Sequence, residues 1–244
     1  DLHSQRRRQR QMCIRDSEYG LGEGPVIFSF MLTAFLGLVA VIGYMSSTEK
    51  KREIVADNEN FTVYFRRLYR LFMITFILFM GYMFFLTISP VYLTEVTGSS
   101  SSMGLIMLGS GIIHALTAPS AGKLVDKYPR EMAIRLSSIF VIISMLTYSL
   151  TENVILIVMV FTIPIYMTFF IGARAIVADT VPYELRARTM GLLSSFSLLG
   201  GGVGSISVGE ILLHYNEQEA FLLGAFLAFI AFLLSLKDFS HLRN

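Results

Sequence analysis

The sequence predicts an all-α, polytopic membrane protein with seven transmembrane helices. Of its 244 residues, 54% are hydrophobic and only 16% are charged, and the mean hydropathy is +0.61. A soluble domain carries about 25% charged residues, so a soluble core of this size would leave much apolar surface in water. Seven long apolar stretches and an alternation of charge between the loops point to the same fold class.

Each apolar stretch approaches the length that a membrane-spanning helix needs. A hydrocarbon core about 30 Å thick takes about 20 helical residues, and backbone in lipid must satisfy its own hydrogen bonds, which favours helices. Five stretches contain no charged residue, and Arg135 and Glu210 lie near the ends of the other two. Pro164 is expected to interrupt the fifth. The predicted spans are residues 25–45, 71–93, 103–121, 133–150, 154–173, 190–213 and 221–236.

The positions of Lys and Arg predict the orientation of these helices. After residue 17, every Lys and Arg lies in or next to alternate loops or in the tail, and Arg174 directly follows the fifth predicted span. The other loops carry only acidic charges. Cytoplasmic loops are enriched in Lys and Arg, so the first helix begins outside and the C-terminus is cytoplasmic. We expect a multi-pass protein of the plasma (inner) membrane.

Charge and hydropathy divide the chain into four predicted segments. Residues 1–17 contain five Arg and the single Cys, Cys13. This segment would lie outside, against the charge rule, so we interpret it as a non-native leader. Residues 18–45 form one transmembrane helix, 46–70 a cytoplasmic linker and 71–244 a six-helix bundle. Without the leader the net charge is slightly negative, which argues against nucleic acid as a partner.

Patterns typical of catalysis or cofactor binding do not occur in the sequence. One Cys cannot form a Cys-based metal site, and neither a G-x-S-x-G motif nor a P-loop is found. We therefore expect no enzyme activity, no cofactor and no metal. Energy for any transport would come from an ion gradient or from the solute itself.

Two cytoplasmic segments carry a family signal. The first reads Gly122-Lys-Leu-Val-Asp126-Lys127-Tyr-Pro-Arg130-Glu131, and the second reads Asp179-Thr-Val-Pro182-Tyr-Glu184-Leu-Arg186-Ala-Arg188-Thr-Met-Gly191. The first resembles the G-x-L-x-D-[RK]-x-G-[RK] loop of the major facilitator superfamily, between the second and third helices of each six-helix half. The second resembles that family's D-x-x-P-x-E-x-R-x-x-x-x-G junction between the fourth and fifth helices. Pro129 and Glu131 depart from the first pattern.

The resemblance covers about residues 66–240 and implies a fold and a site. Six helices would form one half-bundle of a major facilitator fold, and helix 18–45 would be the last helix of a missing first half. Asp126 would meet a helix end of the opposite half, and Arg130 would pair with Asp179 or Glu184. The implied cytoplasmic gate comprises Gly122, Asp126, Lys127, Arg130, Asp179, Glu184 and Arg186. The alternative is a solvated loop that only obeys the charge rule.

Other candidate residues lie inside the predicted spans. Tyr82, His114, Tyr166 and Thr168 are polar groups within apolar stretches, where they could face a cavity. His114 is a candidate proton relay or solute contact, because histidine titrates near neutral pH. The alternative is a neutral, hydrogen-bonded histidine in helix packing. Small residues let helix backbones approach closely, which predicts a packing role for Gly200, Gly201, Gly202 and Gly204.

The family resemblance implies part of a secondary active transporter that moves a small solute by alternating access. Proton-coupled efflux of a drug-like or amphipathic solute is the first expectation, and uptake of a sugar or metabolite is the alternative. A seven-helix receptor is the alternative of another class, but a receptor would not be expected to carry both cytoplasmic motifs. The expected partners are the solute, protons, the lipid bilayer and the missing N-terminal half.

Overall fold

The computed structural model describes residues 61–163 and 166–236, and its elements are all α-helices. The predicted leader, the helix over 18–45 and residues 46–60 of the predicted linker lie outside the described residues. The all-α class is confirmed within the described ranges. The helices are α1 (Phe61–Thr97), α2 (Ser100–Lys127), α3 (Arg130–Leu150), α4 (Val154–Thr162), α5 (Met167–Thr180), α6 (Tyr183–His214) and α7 (Glu217–Leu236).

Six segments of the described chain are long and apolar enough to cross a membrane, as predicted for the bundle. One of them, Val154–Thr180, consists of α4 and α5, because the helix ends at Thr162 and resumes at Met167. Pro164, the residue expected to interrupt this span, lies outside the described residues. The helices extend beyond the apolar stretches, and α1 already includes 61–70, which the sequence assigned to the linker.

Local chemistry explains the short connections on the predicted outer side. Gly98 has a φ of +68°, a left-handed conformation that glycine adopts without steric penalty, and it separates α1 from α2. The hydroxyl oxygen of Ser99 then accepts a hydrogen bond from the Ser102 backbone N–H at 3.4 Å. Before α4, the side-chain oxygen of Asn153 accepts bonds from the first backbone N–H groups. These caps start each helix directly after its turn.

The core of the bundle forms around α1 and α3. Helix α1 packs mainly against α6 and α7, and α3 packs mainly against α7 and α5. Phe72, Phe84, Tyr148 and Phe221 are among the largest fully buried side chains. Tyr148 and Phe221 have ring centroids 5.1 Å apart. Aromatic packing of this kind holds α3 and α7 together.

Helices α2 and α6 expose broad apolar surfaces in the described bundle. Exposed fractions reach 74% for Leu116 on α2 and 77% for Leu198 on α6. Apolar surface of this extent requires lipid or another protein surface rather than water. The buried residues therefore lie mainly on the other helices.

Two arginines bind backbone carbonyl groups in the last described turn of α7. Arg70 Nε donates a hydrogen bond to the Leu234 carbonyl at 2.9 Å. Arg135 Nε donates to the Ser235 carbonyl at 3.2 Å, and its Nη2 donates to Leu236 at 3.4 Å. A charged guanidinium group makes a stronger hydrogen bond to a backbone carbonyl than a neutral donor does. The two guanidinium groups therefore stabilise α7 and connect it to α1 and α3.

We expect Arg135→Ala to lower the free energy of unfolding by about 1 kcal/mol, because two backbone carbonyls of α7 lose a charged donor. Arg135→Lys should lose less, since the ammonium keeps the charge but not the planar fork. Thermal denaturation in detergent, monitored by circular dichroism, measures the loss of stability. Arg67→Ala is the control, because Arg67 is exposed on α1 and has no ion-pair partner among the described residues. Equal losses in both variants would contradict the assignment.

Candidate functional site

Arg130 joins two helix ends on the predicted cytoplasmic side. It is the first residue of α3. Its Nη1 contacts Asp126 Oδ1 at 2.7 Å and donates to the Val125 carbonyl at 3.0 Å, both near the end of α2. Its Nε contacts Asp179 Oδ2, near the end of α5, at 3.3 Å. One guanidinium group thus holds α2 and α5 at a fixed spacing.

The structure brings together only part of the predicted gate. Of the two carboxylates expected for Arg130 within this half, Asp179 is the one that it contacts. Glu184 lies in the first turn of α6, where a negative charge meets the positive end of the helix dipole. Arg186 Nε donates to the Val181 carbonyl at 3.0 Å. Among the described residues, neither Lys127 nor Gly122 bonds to Arg130, Asp126 or Asp179.

Three of the four predicted cavity residues lie in one cluster. The rings of Tyr82 and Tyr166 stack with centroids 5.1 Å apart. The Tyr166 hydroxyl lies 3.3 Å from His114 Nδ1, and His114 Nε2 lies 3.3 Å from the Ser110 hydroxyl. Ser110 in turn donates to the carbonyl of Phe161 at 3.3 Å. A chain of hydrogen bonds therefore links α2 to both sides of the interruption between α4 and α5.

The donors and acceptors in this chain fit a neutral His114. Ser110 has one hydroxyl hydrogen, which it donates to the Phe161 carbonyl, so its oxygen is free to accept from His114 Nε2–H. Nδ1 then accepts from the hydroxyl of Tyr166. Protonation of His114 would make both ring nitrogens donors, and the Tyr166 hydroxyl would have to reverse. The arrangement can therefore respond to a proton by a local change in hydrogen bonding.

Two members of this hydrogen-bond chain, Ser110 and the Phe161 carbonyl, were not predicted from the sequence. Ser110 lies one helical turn before His114, a spacing that places both on one face of α2. The role of Phe161 follows from the end of α4, because the last four carbonyls of a helix lack intrahelical donors. No side-chain pattern could have predicted an acceptor that belongs to the backbone.

Thr168 has a different environment from the other three candidates. It is buried in α5, and its hydroxyl lies 3.4 Å from the Ala133 carbonyl of α3, to which it donates. Tyr82 and Tyr166, by contrast, line a small cavity between α1, α3 and α4. The contact with Ala133 indicates a structural role for Thr168 at the α3–α5 interface.

Of the four glycines predicted to pack helices together, Gly200 and Gly204 face α1 closely and Gly202 does not. A Cβ on Gly200 would lie 2.9 Å from the Phe76 carbonyl carbon of α1, and one on Gly204 would lie 3.0 Å from the Met83 Cβ. Gly201 faces the flexible end of the Met83 side chain, whereas no described atom lies within 4 Å of a Cβ on Gly202. Close packing of α1 and α6 therefore depends on Gly200 and Gly204, one turn apart.

A second cavity, not anticipated from the sequence, lies between α1, α5 and α6. It has a volume of about 330 Å³. Arg174 lines it and lies within α5, which continues to Thr180; the predicted span ended at Ala173, directly before this residue. The lining residues are Phe79, Met83, Phe169, Phe170, Ala173, Arg174, Leu193, Ser194, Ser197 and Leu198.

Most of the chain matches the model of a known protein family. The family model of the Major Facilitator Superfamily matches residues 19–173 and also residues 71–239. The chain belongs to the major facilitator superfamily. This membership confirms the resemblance seen in the two cytoplasmic motifs, and it decides against the seven-helix receptor.

Two curated relatives of this chain are named as bacterial resistance proteins. Multidrug resistance protein MdtG of Salmonella choleraesuis is 26% identical over 152 residues, which are 60% of this chain and 38% of the relative. Quinolone resistance protein NorA of Staphylococcus aureus is 21% identical over 173 residues, 70% of this chain and 44% of the relative. The chain thus spans less than half the length of these relatives.

Membership of the major facilitator superfamily fixes the broad class of the protein. The family consists of membrane transporters, so the prediction that the chain is not an enzyme is confirmed. The six apolar segments and the family together make it a multi-pass membrane protein. Of the residues predicted from the sequence, the structure brings two groups together, the Arg130 contacts and the His114 cluster.

Proposed function

We propose that the chain supplies the second six-helix half of a secondary transporter that exports amphipathic, drug-like solutes in exchange for protons. The observation that carries this proposal is the polar cluster of Tyr82, His114 and Tyr166 beside the interrupted span. Interrupted helices mark solute and ion sites in many transporters, because they free backbone groups inside the membrane. The names of the relatives, a multidrug and a quinolone resistance protein, support export.

The exposed apolar faces of α2 and α6 support a missing first half as the partner. Alternating access requires two bundles that rock around a shared site. Leu116 and Leu198 are examples of large apolar side chains that a second bundle would cover. The contacts of Arg130 would keep α2 and α5 moving as one body at the cytoplasmic end. We further propose that the protein lies in the plasma membrane with a cytoplasmic C-terminus.

The test begins with the complete reading frame in genomic DNA, which should encode five further spans upstream. Cells that express this frame should export a preloaded amphipathic cation such as ethidium, and a protonophore should abolish the export. An empty vector is the control. Absence of export, or uptake of a sugar instead, would overturn the proposed efflux.

We expect His114→Gln to reduce proton-driven export to about a tenth or less, since positioned proton transfer contributes about 10²-fold or more. The variant should also flatten the pH profile between about pH 5 and 8, where histidine titrates. Tyr166 is the titratable group that contacts His114, Tyr82 stacks on Tyr166, and no carboxylate contacts this cluster in the described chain. Export rates from cells loaded at several external pH values measure the effect.

His214 provides a matched control for this prediction. It lies exposed in the last turn of α6. His214→Gln removes the same chemical group outside the cluster and should leave the pH profile unchanged. An unchanged profile in His114→Gln would exclude the relay while leaving export itself intact.

A further inference from the structure

The cavity between α1, α5 and α6 combines an aromatic wall with a single cation. The rings of Phe79 and Phe170 meet edge to face with centroids 5.0 Å apart. Phe169 lies 5.9 Å from Phe79 and 6.1 Å from Phe170, so the three rings form a continuous surface. Such a surface favours a flat apolar body. With a volume of about 330 Å³, the cavity can hold a small aromatic molecule.

Arg174 is the charged group of this cavity. It lies six residues before the end of α5, or about 9 Å along the helix axis. Its side chain is exposed in the described bundle, so the guanidinium group is accessible to a solute, and arginines in such positions face a cavity, pair with an anion or extend toward the membrane interface. Among the described residues no carboxylate pairs with Arg174, and the cavity lining contains no acidic side chain. The positive charge is therefore uncompensated within the described bundle.

Two hydroxyl groups of α6 line the same cavity. Ser197 donates to the Leu193 carbonyl at 3.0 Å, so its hydrogen is already used. Ser194 is exposed, and no acceptor for its hydroxyl occurs among the described residues. The planar guanidinium of arginine can bind a carboxylate through two parallel hydrogen bonds. Arg174 and Ser194 together offer donors for one anionic group, and Ser197 offers none.

We propose that this cavity binds solutes that combine an aromatic or apolar body with an anionic group. Arg174 contacts the anion, and Phe79 and Phe170 contact the body. Arg174 thereby favours an anionic solute over a neutral one of the same shape at this cavity. The assignment rests on the proposed transport function for its role in the cell, but binding at the cavity is measurable without transport.

The experiment compares three probes of one shape on the whole 244-residue chain in lipid nanodiscs. The probes are 2-naphthoate, the neutral 2-naphthamide and the cationic 2-naphthylmethylammonium. We expect naphthoate to bind about tenfold or more tightly than the amide, because its carboxylate makes a charge-assisted hydrogen bond to Arg174 that the neutral amide cannot make. Titration calorimetry measures the affinities, and circular dichroism verifies that each variant keeps its helix content.

Substitutions assign the preference to Arg174. Arg174→Gln should abolish the preference for naphthoate, while Arg174→Lys should retain part of it because the charge remains. Arg188→Gln is the matched control, since Arg188 lies outside the cavity with its guanidinium 4.0 Å from the Phe61 ring centroid. This control should bind naphthoate like the parent chain.

Four results would overturn the proposal: equal binding of naphthoate and amide, stronger binding of the ammonium probe, no binding of any probe, or undiminished naphthoate binding by Arg174→Gln. The second of these would mean that a carboxylate from elsewhere in the protein neutralises Arg174. If export of a cationic dye persists in any of these cases, the proposed function stands without the anion site. Loss of dye export with the naphthoate preference intact would overturn only the proposed function.

Discussion

Gly200→Ala is expected to lower the free energy of unfolding by about 2 kcal/mol, within the range of about 1–3 kcal/mol for overpacking a core. The added methyl group would meet the Phe76 backbone of α1, with the carbonyl carbon at 2.9 Å, and backbone cannot move aside like a flexible side chain. Gly204→Ala should act alike, because its Cβ would meet the Met80 carbonyl. Thermal denaturation in detergent, monitored by circular dichroism, measures the loss of stability in both variants.

Gly202→Ala is the matched control on the same helix. A Cβ there would have no described atom within 4 Å. Alanine is also a better helix former than glycine by about 1 kcal/mol, so this variant should be neutral or slightly more stable. If Gly202→Ala were as harmful as Gly200→Ala, chain flexibility rather than close contact would be the reason for the glycines. The variant Gly200→Ala/Gly204→Ala should lose more stability than either single change.

Hydropathy predicted where the spans lie but not how far the helices extend. The apolar stretch ending at Ala173 marks a change in composition, whereas α5 continues to Thr180 because backbone hydrogen bonding does not depend on apolar side chains. Residues 61–70 were assigned to the linker on the same grounds, although they are helical and belong to α1. Arg174 was consequently placed beyond the span rather than at the cavity.

The candidate sites were predictable to different degrees. The family motifs indicated the pairing of Arg130 with Asp179 or Glu184, and the structure selects Asp179. The motif also implied a partner for Asp126 in the opposite half, yet Asp126 contacts Arg130 within this bundle. A run of glycines indicates close packing without indicating which glycine faces the neighbour. That choice depends on the rotation of α6 against α1, a tertiary property.

Replacing Arg130 by Ala is expected to reduce export by about tenfold, within the range of about 5–150-fold that coupling between two conformational states produces. The change removes the only described donor that Asp126, Asp179 and the Val125 carbonyl share. Without it, α2 and α5 lose their connection at the cytoplasmic end. Dye export by the complete reading frame measures the effect.

Stability should respond far less than export. The Arg130 side chain is 26% exposed and Asp126 is 76% exposed, so solvent screens their attraction. Exposed ion pairs contribute about 0–1 kcal/mol, and the loss of unfolding free energy should stay in that range. Lys123→Ala is the control, as Lys123 is an exposed cation of α2 without an ion-pair partner in the described ranges. It should leave both export and stability unchanged.

A charge exchange separates the Arg130–Asp179 contact from the Arg130–Asp126 contact. The variant Arg130→Asp/Asp179→Arg restores an ion pair between α3 and α5 but places two acids at positions 126 and 130, one helical turn apart. Like charges at this spacing repel, so the exchange should recover only part of the export that Arg130→Asp loses. Adding Asp126→Asn removes this repulsion and should increase the recovery. If neither exchange recovers export, the need for Arg130 lies in its bond to the Val125 carbonyl, which an aspartate cannot replace.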